Sequence, residues 1–539
     1  MEISQTGNTH AVENQAPPLT PYNVFEADLP LREALEREGG AWGVDRLRDT
    51  GELAGSPEAL EHAERAERNE PVLRTHDRYG NRIDRVELDP SWHWCLRQAV
   101  EREIHSLPWR AVAQAPGGAR RAAMASSQPG GHVVRAALFF VWGQVDSGVM
   151  CPVSMTYSAI PALREEPDLA AEWEPRITRP SYDDGVLVGM AMTEKQGGSD
   201  VRANSTRAVP GGDAWEITGH KWFCSYPPCD LFLTLAQAPA GLSCFLIEGR
   251  DPGFRIQRLK DKLGTRSLPS SEVEFQGVRG QLIGEEGRGV QTIIRMVNHT
   301  RLDCLIGSSA GMRWGLAQAV HHARHRSAFG KLLADQPLMR NVLADLAVES
   351  EAATAVTMRI ARAYDEDDAA FRRIATAVMK HHVCKRATGH AAEALECLGG
   401  NGYVEESGMP RLLRDSPLNS IWEGSGNVSA LDVLRALAKE PEALPALLAE
   451  CETARGANAQ LDAHLDRIAS AQPSDPEFEA RSVVSDLAVA LQASLLVRHA
   501  PAAVSDAFCA SRLERVGRAY GTLPPGVDTE AILARTLPA

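Results

Sequence analysis

Residues 419–427 read NSIWEGSGN and set one carboxylate, Glu423, between an indole and a glycine. Its neighbours Trp422, Gly424, Ser425 and Asn427 carry no charge. An acid among apolar and small residues suits a base whose pKa is lifted toward neutrality by desolvation. The same acid, just ahead of an apolar helix, also suits a carboxylate stabilising a helix N-terminus. Val428, Leu431 and Arg435 fall on one helical stripe, so Arg435 is expected to face inward. There it either pairs with Glu423 and lowers its basicity or forms a salt bridge elsewhere in a bundle.

Two stretches upstream carry binding character. Residues 191–201, AMTEKQGGSDV, offer hydroxyls at Thr193 and Ser199, and Gly197 and Gly198 permit close backbone approach. Such a loop wraps a polar planar ring and a phosphate with main-chain N–H groups, or it is a plain β-turn. In residues 217–225, ITGHKWFCS, the two-residue period of a strand places Phe223 and Ser225 on one face. An aromatic beside a hydroxyl forms one wall of a pocket for a ring system; a core aromatic is the alternative. No GxGxxG follows a strand and no GxxxxGK[ST] occurs, which excludes a readable Rossmann or P-loop site.

The elements that must position these residues follow from the texture of the chain. With 539 residues and roughly 150 residues per domain, three or four domains are expected. Residues 1–181 read as helical, with apolar positions at helical spacing in LPLREALEREGGAWG and HWCLRQAVEREIHSL. Residues 182–284 change to short β-rich runs split by PGGD and GRDPG, a small antiparallel β-domain. Long amphipathic runs over 285–439 suit an antiparallel helical bundle, and 440–539 add further helices. One of these opens with Asp475 as N-cap and Pro476 at the first helical position. The expected fold class is mainly α with a central small antiparallel β-domain.

Composition narrows the function. A hydrophobic content of 44% beside 24% charged residues is globular. A net charge of −14 argues against whole-molecule attraction to nucleic acid or an anionic membrane. No secretory signal opens the chain, and the most apolar stretch, residues 231–247, is interrupted by Gln, Pro and Gly. A cytoplasmic protein without a membrane partner is expected. The ten cysteines form no CxxC pair, so packing thiols are expected rather than a metal or disulfide framework.

Five motifs occur in order between residues 190 and 435: TEKQGGSD, KWFCS, RSAFGKLLADQ, LGGNGY and IWEGS. Together they resemble the acyl-CoA dehydrogenase flavoprotein family. The resemblance implies a helix–β–helix subunit that holds FAD without a Rossmann domain. Carried over residue by residue, it puts Met192, Thr193, Gly198, Phe223, Cys224 and Ser225 around the flavin and Ser199 near the pyrophosphate. Arg326, Phe329 and Gln336 would reach the FAD of a neighbouring subunit. Gly399, Gly400, Trp422, Gly424, Ser425 and Asn427 fall where the family closes over the cofactor. A shared site implies a homo-oligomer, a tetramer built as a dimer of dimers. Glu423 takes the place of the base that removes the α-proton of an acyl-CoA thioester, which favours the base over the helix cap.

Departures from the common pattern narrow the resemblance. Lys195 replaces a usual Pro, Phe223 replaces a usual Trp, and helical sequence continues past Lys439. With RLKDKLG ahead of SSEVEF, RLDC, and LDVLR after the base loop, the chain is similar to the AidB group. That group comprises flavoproteins of the bacterial response to DNA alkylation, which bind double-stranded DNA and oxidise acyl-CoA weakly. The implied function is an FAD protein that binds and protects duplex DNA, with weak isovaleryl-CoA-like dehydrogenase activity. The alternative is a working short- or branched-chain acyl-CoA dehydrogenase that passes electrons to an electron-transfer flavoprotein. In the AidB group the C-terminal helices carry the DNA contacts. Here residues 440–539 hold eight arginines and no lysine against fourteen carboxylates, a net of −6. Arg498, Arg512, Arg515 and Arg518 are the candidate phosphate contacts, and a solvated helix face is the alternative.

Overall fold

The computed structural model describes residues 12–110, 129–366, 368–514 and 519–537. The N-terminal part is built from α1 (Leu29–Arg37), α2 (Val44–Ala54), α3 (Pro57–Arg68), α4 (Pro90–Glu101), α5 (Gly131–Trp142), α6 (Met150–Leu163) and α7 (Pro167–Ile177). Every residue of α5 and α6 is buried, as sequences apolar all round require. Between α3 and α4 the chain forms a hairpin, β1 (Val72–His76) against β2 (Arg82–Glu87), where a helical reading expected no strand. Asp77 Oδ1 accepts from the amides of Tyr79 and Asn81, so an Asx-type turn, not hydrophobic periodicity, dictates this element.

The middle strands are β3 (Val188–Ala191), β4 (Arg207–Gly211), β5 (Ala214–Cys224), β6 (Leu231–Ala238), β7 (Gly241–Glu248), β8 (Phe254–Leu259) and β9 (Ser271–Ile283). The sheet is mixed rather than purely antiparallel, because β3 and β4 both pair parallel to β6. The pairings β6–β4, β4–β5, β5–β9, β9–β7 and β7–β6 close a ring, leaving β3 and β8 as attachments. Closure satisfies strand edges that would otherwise stand open. Alternation within each strand cannot reveal it, since it depends on which strands meet.

The bundle consists of α8 (Gly289–His325), a short arm of β10 (Ser327–Ala328) and β11 (Lys331–Leu332), α9 (Pro337–Asp365), α10 (Ala369–Cys397), α11 (Met409–Asp415) and α12 (Gly426–Lys439). α8 packs on α6, α9 and α10 and forms the spine of the molecule. The extension adds α13 (Ala443–Glu452), α14 (Ala459–Ser470), α15 (Pro476–His499), α16 (Ala502–Cys509) and α17 (Thr529–Leu533). Asp475 caps α15 by accepting from the Phe478 amide at 3.2 Å, with Pro476 opening the helix. Among the described residues α15 alone is long and apolar enough to cross a membrane, and it packs here against α9, α10 and α12.

Candidate active site

Glu423 lies on the turn between α11 and α12, with a backbone φ of 56°. A side-chain-bearing residue in that region costs about 1–2 kcal/mol, so neighbours must hold it there. Three consecutive carbonyls are held by cations. Arg301 Nε of α8 donates to the Glu423 carbonyl at 2.9 Å. Lys380 Nζ of α10 donates to the carbonyls of Trp422, at 2.8 Å, and of Gly424. Gly424 has a φ of 102°, so the path of the turn requires glycine there, while a Cβ on Gly426 would displace only the end of the Lys385 side chain.

The carboxylate of Glu423 accepts a 2.7 Å hydrogen bond from Thr300 Oγ1 of α8. Burial pushes its pKa up, against the lowering effects of Thr300, Lys380 and Arg301. Burial thus outweighs the cations, the balance a carbon-acid base needs. The Cys151 thiol of α6, pushed up to about 12 by burial, feels both the Ser225 hydroxyl and Glu423. Ser225 and Glu423 thus both lie near the Cys151 thiol, on the side where α6 faces the end of β5 and the base turn.

A second structure supports the barrel side. Glu194 and Lys221, from the TEKQGGSD and KWFCS stretches, form a fully buried ion pair at 2.9 Å. Glu194 Oε2 also accepts from the Ser205 amide at 2.7 Å, and Lys221 Nζ donates to the Leu235 carbonyl at 2.7 Å. These bonds staple the loop that carries Thr193 to the end of β5. Gly198 comes close enough to Thr193 that a Cβ there would lie 3.0 Å from Thr193 Cγ2. The Met192 carbonyl accepts from Asn204 Nδ2 at 3.0 Å, and the Thr193 carbonyl from the Trp222 amide at 2.8 Å. Ser199 is exposed.

A bulge between Lys221 and Cys224 breaks strand alternation, burying both residues and turning Phe223 outward to 46% exposure. β5 ends at Cys224, so Ser225 lies just beyond the strand on which periodicity placed it. Lys260 Nζ lies over the Trp222 and Phe223 rings, 3.4 and 4.5 Å from their centroids. Trp422 Nε1 donates to Asn419 Oδ1 at 3.0 Å. Ser425 occupies the N-cap position of α12 without a side-chain capping bond, so its hydroxyl is not spent on the helix.

Arg326, Phe329 and Gln336 are not part of this locus. Arg326 follows Thr300 by 26 positions, and α8 ends at His325, one residue before it. A rise of 1.5 Å per residue separates them by about 39 Å. Phe329 is 99% exposed on the β10–β11 turn, and Gln336 Nε2 donates to the Ala328 carbonyl at 3.1 Å. Gly399 and Gly400 are exposed beyond α10, with open space where a Cβ would stand.

Several expectations change. Arg435 does not face inward or meet Glu423: its side chain is 61% exposed and bonds Asp432 at 3.2 Å. The buried stripe of α12 is Ser429, Ala430, Val433 and Ala436, offset from the stripe through Val428 and Leu431. Asp432 instead ties Arg301, at 2.7 Å, to Arg373. Arg512 does not present itself to a phosphate, because its guanidinium is bound by Asp345 and Glu349. Arg498 is likewise paired with Glu450 at 2.5 Å. Arg515 and Arg518 lie outside the described residues. Asn427 is held by Arg481 Nε of α15 at 2.9 Å, so the extension touches the base turn directly.

Thr300, Arg301 and Lys380 complete the site without a motif that marks them in the sequence. Their only local signals are an Arg beside Asp303 in TRLD and a lysine within the apolar run AVMK, and neither points to residue 423.

Comparison with known proteins agrees with this architecture. Residues 14–184 match the model of the adaptive response protein AidB N-terminal domain. Residues 189–278 match the acyl-CoA dehydrogenase middle domain, and 287–438 the acyl-CoA dehydrogenase C-terminal domain. The chain belongs to the acyl-CoA dehydrogenase family, flavin-dependent oxidoreductases acting on CH–CH groups. Within it the likeness is to AidB: the chain is 39% identical to the putative acyl-CoA dehydrogenase AidB of Escherichia coli (strain K12), over 94% of this chain and 95% of that protein. Among solved structures, Bd2924 in its apo form superposes with a TM-score of 0.82 at 30% identity, covering 90% of this chain and 99% of that one. Caenorhabditis elegans ACDH-11 in complex with C11-CoA gives 0.83 at 27% identity, covering 98% and 93%.

Proposed function

We propose that this protein holds FAD between barrel and bundle and oxidises an acyl-CoA thioester with Glu423 as the base. Glu423 carries the reading: its carboxylate is held above its ordinary range by burial, oriented by Thr300, on a turn pinned by Arg301 and Lys380. The residues present fit the cofactor. Gly198 admits close approach, Ser225 stands in reach of the same thiol as Glu423, and Phe223 is turned outward at the barrel end. Bound FAD supplies the acceptor for the β-hydrogen as hydride. Glu423 takes the α-proton, and the outward position of Arg435, bonded to Asp432, leaves it basic. A substrate of thioester type accords with the C11-CoA complex of ACDH-11.

The separation of about 39 Å along α8 between Thr300 and Arg326 supports a homo-oligomer, a tetramer, in which the arm of one subunit serves the cofactor of another. The exposed Phe329, Leu338 and Tyr403 are the apolar side chains such an interface would cover.

Anaerobic addition of short- and branched-chain acyl-CoAs, including isovaleryl-CoA, is expected to bleach the oxidised flavin spectrum, and Glu423→Gln to prevent it. Protein that stays colourless after incubation with FAD, or a flavin that no thioester bleaches, ends this reading.

A second reading, association with duplex DNA in the alkylation response, is favoured by the likeness to AidB through the C-terminal helices. With Arg498 and Arg512 in ion pairs, the phosphate contacts fall to other groups. Binding of labelled duplex should weaken steeply with salt; no binding at low ionic strength removes it.

A further inference from the structure

Thr300 has one hydroxyl proton and two acceptors. Its Oγ1 lies 2.7 Å from Glu423 Oε2 and 3.0 Å from the Val297 carbonyl, one turn back on α8. A threonine hydroxyl donates once and accepts through two lone pairs, so it cannot serve both acceptors at the same moment. The residue is 4% exposed, so bulk water is not at hand to take over either role.

We propose that Thr300 is a positioning residue that changes hydrogen-bond direction with the protonation state of Glu423, keeping the carboxyl aimed in both states. With Glu423 ionised, the hydroxyl donates to Oε2 and the Val297 carbonyl is left to its helical partner. Once Glu423 has taken a proton, its O–H donates to Thr300 Oγ1, and the threonine proton turns to Val297. No atom is lost and no further proton is needed: the one that Glu423 gains is the one it directs at Thr300. The Val297 carbonyl serves as a parking place for the hydroxyl proton, so neither state leaves a buried donor unmet.

The charged and titratable groups facing Glu423 are Arg301, Asp303 and Cys304 on α8, Lys380 on α10 and Cys151 on α6. Arg301 spends its bonds on the Glu423 carbonyl and on Asp432, and Lys380 on the carbonyls of residues 422 and 424. Among these neighbours, Thr300 is the one that bonds the carboxylate oxygen itself. This inference rests on Glu423 being the base, but its test does not.

The probe is the carboxylic C=O infrared band of Glu423 in a pH titration, assigned as the band missing from Glu423→Gln, in protein without thioester. Thr300→Val keeps the shape and removes the hydroxyl; Thr300→Ser restores it. A bond to the ionised carboxylate is stronger than one from the neutral acid, so losing both in Thr300→Val should raise the proton affinity of Glu423 about tenfold, with Thr300→Ser returning to wild type. The wild-type band should also show a hydrogen-bonded acid that Thr300→Val lacks. In the reduction of the flavin by thioester, the same variant should move the rise of kcat to higher pH while KM holds. Identical titrations in wild type and Thr300→Val overturn the proposal, even if thioesters bleach the flavin. A shifted titration in protein that no thioester bleaches leaves the switch standing and removes the base reading. Should Thr300→Val unfold, Thr300→Ser against Thr300→Ala provides the same comparison.

Discussion

Arg301 Nε donates to the main-chain carbonyl of Glu423 at 2.9 Å, so the residue beside the carboxylate's hydroxyl donor also fixes the carboxylate's backbone. One turn of α8 thereby controls both ends of a residue that sits in a costly dihedral region. Arg301 is itself held by Asp432 at 2.7 Å, and both are nearly buried. Replacing Arg301 by Met leaves the turn loose and Asp432 short of a partner. A loss of about 3–5 kcal/mol in denaturant unfolding is expected, the usual cost of breaking a buried pair, together with a marked fall in the rate of flavin bleaching.

Arg435 gives the opposite forecast. Exposed and bonded only along its own helix turn, it should tolerate Ala with a stability change within about 0.5 kcal/mol. The pH dependence of thioester oxidation should match wild type. An acid-limb shift in that variant would place Arg435 next to the base after all.

Arg512→Ala tests whether the C-terminal arginines are structural. Asp345 and Glu349 both lean on its guanidinium, and Glu349 also receives two bonds from Arg386, at 2.9 and 2.7 Å. Removal should lower stability by about 3–5 kcal/mol while leaving the salt slope of any duplex binding unchanged. A reduced slope with unaltered unfolding would return Arg512 to the DNA surface.

The Glu194–Lys221 pair sets an acid limit. Burial raises the Glu194 pKa, but Lys221, Thr206 and Ser205 outweigh it and pull the group down to about 2. A carboxyl depressed in the fold stabilises above its ordinary pKa, and that contribution drains away as pH falls through about 2. The stability of wild type should thus decline from near pH 4.5 downward, and Glu194→Gln should be less stable at neutral pH with a flatter acid limb. Thermal unfolding across pH reads both.

Phe329→Asp probes the arm. A charge on a side chain 99% exposed in the single chain should leave its fold intact. If the arm meets a neighbouring subunit, light scattering should show a smaller assembly and FAD should be lost on dilution. An unchanged mass would remove this turn from the interface.

Local chemistry was open to inspection in the linear chain. The β-rich texture of the middle, the Asp475–Pro476 helix start and the isolation of Glu423 all depend on residues close to one another in sequence. Such features rest on dihedral preference, capping and hydrophobic period, which act over a few positions. The β1–β2 hairpin escaped because its signal lies in the Asp77 turn rather than in apolar alternation.

Folding in three dimensions decided the rest. Closure of the barrel depends on β4 meeting β6, and the staple of Glu194 to Lys221 on a loop meeting a strand 27 positions away. Thr300, Arg301 and Lys380 reach Glu423 across 123, 122 and about 43 positions, distances at which no periodicity carries information. The inward stripe of α12 differs from the expected one because a rotation of one residue, about 100°, separates two apolar stripes, and only packing on α10 and α15 selects between them. Arg512, expected as a phosphate contact or on a solvated helix face, is paired instead because its carboxylate partners come from α9, which the order of residues places far away and the fold brings alongside.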